Sequence, residues 1–79
     1  METKKKDDRK LLGSQIEDRI LEYIKEKPLE VGDRLPNEFE LAEMFEVGRS
    51  TIREAVKGLV TKGVLQVRRG AGTYVSSLT

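Results

Sequence analysis

The chain contains no cysteine and no histidine among its 79 residues. The first absence excludes disulfides and thiolate metal sites. The second removes the commonest general base and the commonest metal ligand. Tryptophan is also absent, and the aromatic set is two Phe and two Tyr. No apolar run approaches the roughly 20 residues of a membrane span. The charged N-terminus lacks the apolar centre of a signal peptide, so the sequence predicts a cytoplasmic protein with no membrane partner. No phosphate-binding glycine loop, nucleophile elbow or metal-ligand spacing occurs. Carboxylates are plentiful, but they are spread along helical patterns, as on a solvated helix face. These absences argue against an enzyme and imply no cofactor. The length suits one small domain, which buries roughly 60% of its unfolded surface and leaves no room for a separate ligand-binding domain.

What the chain does have is an uneven distribution of charge. The net charge of +1 says little about partners. Residues 1–46, however, hold 9 Lys+Arg against 13 Asp+Glu, and residues 47–79 hold 6 against 1. A basic second half thus stands on an acidic first half, and local potential rather than net charge is what attracts phosphates. A merely solvated basic surface is the alternative reading.

Periodicity divides the chain into elements. Residues 1–10 contain one apolar residue, Met1, and are expected to form a disordered arm. Their Lys4-Lys5-Lys6 run either brushes DNA phosphates or is an ordinary solvated tail. Ser14 and Glu17 have capping-box spacing, which predicts a first helix from near Ser14, with Ile16, Ile20 and Ile24 as its buried stripe and Leu21 and Tyr23 widening it. Pro28 ends it near Lys27. A linker from Pro28 to Pro36 follows, with a turn at Gly32-Asp33 and a very short strand at Arg34-Leu35. Asn37 is the expected N-cap of a second helix, with Glu38 and Glu40 in its first turn and Leu41, Ala42 and Phe45 buried. A third helix is expected from Arg49 to Lys62, stopped by Gly63. Val64–Val67 and Thr73–Val75 then read as a hairpin around Arg68-Arg69-Gly70-Ala71-Gly72. The predicted fold is mainly α with a small β-hairpin: a winged helix-turn-helix of three helices plus a wing, over residues 11–76, with 77–79 as a tail.

The third helix carries the chemistry. Arg49, Arg53 and Lys57 recur at i, i+4 and i+8 along one flank, while Ile52, Ala55, Val56 and Leu59 fall on the other. A helix anchored by one stripe and cationic on the other fits the DNA major groove. Arg49, at the helix start, can donate two bonds to guanine, or pair with phosphate alone. Ser50 and Thr51 can bond phosphate oxygens, or merely suit a helix start. Arg53 reaches a base or a phosphate, and Lys57 a phosphate. In the wing, Arg68 and Arg69 precede Gly70 and Gly72, whose missing side chains allow close approach to the backbone or minor groove; an exposed tight turn is the alternative.

Residues 32–56 (GDRLPNEFELAEMFEVGRSTIREAV), Gly63-Val64-Leu65 and Arg69–Val75 (RGAGTYV) resemble the N-terminal domain of GntR-family bacterial transcriptional regulators. The resemblance covers about residues 12–76, with several motifs in order and at the right spacing. It implies a dimeric winged-helix repressor or activator on double-stranded DNA with an inverted-repeat operator. It also implies a homodimer formed through a C-terminal effector-binding domain outside these 79 residues. It marks Arg49, Ser50, Thr51 and Arg53 as helix contacts, and Arg69, Gly70 and Gly72 as wing contacts. Three positions depart from the family pattern. Phe39 stands where Arg is frequent. Glu46 replaces the usual inter-helix Gly, at a cost of order 1 kcal/mol if that position is left-handed. Gly48 replaces a Ser or Thr. The competing function is a winged-helix protein–protein interaction module without specific DNA binding, since a fold does not fix a function.

Overall fold

The computed structural model describes residues 4–77, in the order α1 (Lys4–Glu26), α2 (Glu38–Phe45), α3 (Arg49–Thr61), β1 (Leu65–Arg68) and β2 (Gly72–Val75). The helix-hairpin order and the mainly helical architecture match the sequence reading. The core joins every element: Ile16, Ile20 and Ile24 of α1, Leu41 and Ala42 of α2, Ile52, Ala55 and Leu59 of α3, and Leu65 and Val75 of the hairpin. Leu35, in the linker, is buried with them. Phe45, Val47 and Val56 pack at its margin.

Several boundaries differ from expectation: α3 ends at Thr61, the strands take in Arg68 and Gly72 from the expected connection, and the starts of α1 and β1 move. Helix α1 begins at Lys4, not near Ser14, so part of the expected arm is helical; residues 1–3 and 78–79 lie outside the described residues. Residues 4–12 contain no Gly or Pro and are rich in Lys, Arg and Leu, so nothing in them halts a helix. Nor does Glu17 serve a cap: its carboxylate accepts from Lys62 Nζ at 2.7 Å and lies over Gly58 of α3, where a side chain would displace it. That hydrogen bond, with the attraction of Glu17, raises the Lys62 pKa. Strand β1 starts one residue late because Val64 still serves the exit of α3. Its N–H donates to Leu59 O at 2.9 Å, and its carbonyl accepts from the amides of Ser76 and Ser77.

The turn between α2 and α3 sets the angle of α3. Asn37 caps α2 as expected. Its side chain accepts from the Glu40 amide at 2.8 Å, and the Glu40 carboxylate accepts from the Asn37 amide at 2.9 Å. At the other end Glu46 is left-handed, with φ 57° and ψ 47°. The Glu46 amide donates to Glu43 O and the Val47 amide to Ala42 O, the two bonds of a Schellman closure. Gly48 then opens α3 with extended dihedrals and no side-chain cap.

The hairpin is not free-standing. Leu65 pairs with Val75 and Arg68 with Gly72 in antiparallel register. The linker lies along its outer edge: Gly32 N–H donates to Val75 O, Val75 N–H to Asp33 O, and Leu35 N–H to Thr73 O. The short strand expected at Arg34-Leu35 is thus a single bridge, Arg34 to Tyr74.

Candidate nucleic-acid interface

Helix α3 turns Ile52, Ala55 and Leu59 inward and exposes Arg49, Ser50, Arg53 and Lys57, with Thr51 half-buried at the margin. The cations therefore run along the solvent face, as their spacing requires. Because Gly48 offers no side chain to the first turn, the leading N–H groups of α3 are not occupied by a cap. With the positive end of the helix dipole, they favour an anion there. Lys62, the C-cap residue of α3, is committed to Glu17 of α1 and stands apart from this row.

Arg53 is not solitary. Its Nε donates to Glu38 Oε2 at 2.8 Å and its Nη2 to Glu38 Oε1 at 3.3 Å, a two-pronged grip between the starts of α2 and α3. The hydrogen bond from Arg53 holds the Glu38 carboxyl below the ordinary glutamate range. Slight burial opposes this, and the fields of Arg53 and then Arg49 reinforce it. Arg53 is well exposed and Glu38 only partly buried, so solvent screens the pair and it adds little to stability. Its effect is orientational: one edge of the guanidinium is held and the rest faces solvent. Sequence reasoning misses this role of Glu38, because a place in the first turn of α2 is already explained by the helix dipole.

The wing turns at Arg69-Gly70-Ala71. Ala71 N–H donates to Arg68 O at 2.9 Å, and Gly70, with φ 76°, fills the position of this turn that needs a left-handed residue. The Arg68 guanidinium lies over the Tyr74 ring at 5.1 Å. Arg69 is exposed at the tip and Gly70 beside it. Gly72 has a different role. Its φ is 129°, and a side chain there would come within 2.9 Å of Arg34 Nε. An open groove runs between Arg34, the start of α2 at Asn37 and Glu38, and the wing from Val67 to Thr73. In the sequence Arg34 reads as part of the linker and its short strand, not as a site residue. Its place opposite the wing glycine makes it a further cation of this surface, and the signal for it is its position in the expected short strand.

Two clusters of expected site residues result. Arg49, Ser50, Thr51, Arg53 and Lys57 share α3; Arg68, Arg69, Gly70 and Gly72 share the wing. Glu38 touches both settings, gripping Arg53 and lining the groove beside the wing.

The family model described as "Bacterial regulatory proteins, gntR family" matches residues 12–75. The Uxu operon transcriptional regulator of Escherichia coli (strain K12) is 47% identical over 64 residues, which are 81% of this chain and 23% of that protein. The chain spans about a quarter of the length of the curated relatives it matches. Among solved structures, a Streptococcus agalactiae GntR protein superposes with a TM-score of 0.78 at 57% identity, covering 82% of this chain and 32% of that one. The DNA-binding domain of AraR in complex with operator ORX1 superposes with a TM-score of 0.74 at 34% identity, over 81% of this chain and 77% of that one.

Proposed function

The chain belongs to the gntR family of bacterial regulatory proteins, and from that premise we propose that it is the DNA-reading domain of a transcriptional regulator. The observation that carries the reading is the row of Arg49, Arg53 and Lys57 on the exposed face of a helix whose other face is core. Helix α3 lies in the major groove, and the wing follows the backbone or minor groove. Arg49 addresses a base edge from the helix start; Ser50 and Thr51 hold phosphate oxygens; Arg53, steadied by Glu38, reaches a base; Lys57 reaches a phosphate. Arg68 and Arg69 meet the backbone from the wing, and Gly70 and Gly72 keep its turn low. This is a binding role, and the relatives named are regulators rather than enzymes. Among the described residues no helix is long and apolar enough to cross a membrane, and a cytoplasmic regulator that works as a homodimer on an inverted repeat fits the reading.

Selection of duplexes from a random pool tests it, run with the wild-type chain and two variants. Wild type is expected to select one half-site. Arg49→Ala relaxes that choice by removing a base-edge contact of about 1–3 kcal/mol, and Lys57→Ala weakens all sequences alike. The logarithm of affinity should fall against the logarithm of salt by roughly 0.9 for each phosphate contacted. A salt-independent affinity, or no selected sequence, would favour the protein-interaction module instead.

A further inference from the structure

The four aromatic residues do not share one fate. Tyr23, Phe45 and Tyr74 are half-buried, whereas Phe39 is 56% exposed. An isolated exposed apolar residue needs no explanation by itself. The position of Phe39 does call for one. It follows Glu38, whose carboxylate grips Arg53 at 2.8 Å and feels the charge of Arg49. The first turn of α2 therefore abuts the basic start of α3 through Glu38, and Phe39 is the next, exposed residue of that turn. The flank of α2 matters as well. Met44 lines a groove against Arg19, Glu22, Tyr23 and Glu26 of α1. Phe39 is five residues earlier, about 140° round the helix, so it is turned away from α1's flank. It is also outside the buried pair Leu41 and Ala42.

We propose that Phe39 is a specificity-determining residue, reading the methyl group of a thymine beside the base pair that Arg53 addresses. The inference rests on the DNA-binding reading above. A phenyl ring offers nothing to a phosphate oxygen and cannot bond a base edge. In the major groove the one apolar feature it complements is the thymine methyl group. At the same place a guanine, adenine or cytosine edge would lose water to the ring and find no partner, which is a penalty against those bases. Glu38 adds to the selection. It occupies the near edge of the Arg53 guanidinium and repels phosphate, so the start of α2 is suited to base edges rather than to the backbone.

Uracil substitution isolates the methyl group without altering any hydrogen bond. The probe is the duplex that the wild-type chain selects, with each thymine replaced in turn by uracil. At one position the wild type is expected to lose about fourfold in affinity, the ratio for burying one methyl group. Phe39→Ala should bind the parent duplex more weakly and lose nothing further at that position. Phe39→Leu, still apolar, should retain part of the sensitivity, and its thermal melt should match wild type because the site is exposed. Uracil without effect on wild type at every position would overturn the proposal. So would an equal loss in wild type and Phe39→Ala. Both results would leave sequence-specific binding standing, whereas failure to select any duplex would remove the DNA-binding reading and this inference together.

Discussion

Glu46 illustrates how much one residue's backbone can be asked to tolerate. Its left-handed dihedrals close α2, and the two bonds of that closure need no side chain. Glycine takes this conformation freely, while a Cβ-bearing residue is disfavoured by about 1–2 kcal/mol. Part of the gain from glycine is offset by its larger freedom when unfolded. Glu46→Gly is therefore expected to stabilise the domain by about 0.5–1 kcal/mol, raising the melting temperature by roughly 2–8 °C for a domain of this size. Thermal unfolding checks it, and DNA affinity should not fall. Glu38 gives a second prediction, in pH. Its folded pKa is lowered by Arg53, so its contribution to stability is fully present above the unfolded glutamate value. The contribution declines as pH drops through that value and is gone below the lowered one. A carboxyl-carbon NMR titration should place the Glu38 midpoint below the ordinary glutamate range, and Arg53→Ala should move it back up. The strain at Glu46 is legible in the sequence, because the position is recognisable in a known pattern and the geometry of such turns is general. The grip of Glu38 on Arg53 is not: fifteen residues separate the two, and no local rule states which exposed acid an exposed arginine will find.

At the scale of elements, periodicity serves well wherever one face is buried. The stripe Ile16, Ile20 and Ile24 and the stripe Ile52, Ala55 and Leu59 are readable because their spacing repeats with the helix. The start of α1 differs from the sequence reading for a physical reason. Ser14 and Glu17 have the spacing of a cap, but a cap competes with helix continuing through residues that favour it, and Glu17 is drawn instead to Lys62 across the α1–α3 contact. The wing's outline is readable from its glycines, but its anchorage by residues 32–35 is only half visible, since a single bridge leaves almost no pattern. That anchorage makes Gly72 a sensitive point. Gly72→Ala would combine an unfavourable φ of 129° with a clash against Arg34 Nε. The expected loss is about 1–3 kcal/mol, mainly from the backbone and visible as a lower melting temperature, together with weaker DNA binding because the Arg34 side chain is displaced from the groove. Gly13→Ala, at a helix position with nothing within 4 Å, is the control that should leave binding unchanged.

At the scale of the whole molecule, the described residues present one α3 and one wing, which on the proposed reading together address a half-site. Two such domains held together would convert the second encounter into an intramolecular one, at an effective concentration that reaches about millimolar for short linkers. Fusion to a neutral dimerising module should therefore raise affinity for a palindrome far more than for its single half-site, as measured by titration of both duplexes. Equal, tight binding of the unfused chain to both would mean that the domain is a complete reader alone. The extended segment from Gly32 to Leu35 also orders events in time. Asp33 accepts from the amide of Val75, 42 residues later. During synthesis the three helices emerge first and can pack from contacts of short reach, but this segment must wait, with its backbone groups unpaired, until β2 has left the ribosome. A nascent chain thus acquires the helical half of its proposed reading surface before the wing half. The edge it shows in the interval is open to pairing with a neighbour, and only the arrival of Thr73–Val75 closes it.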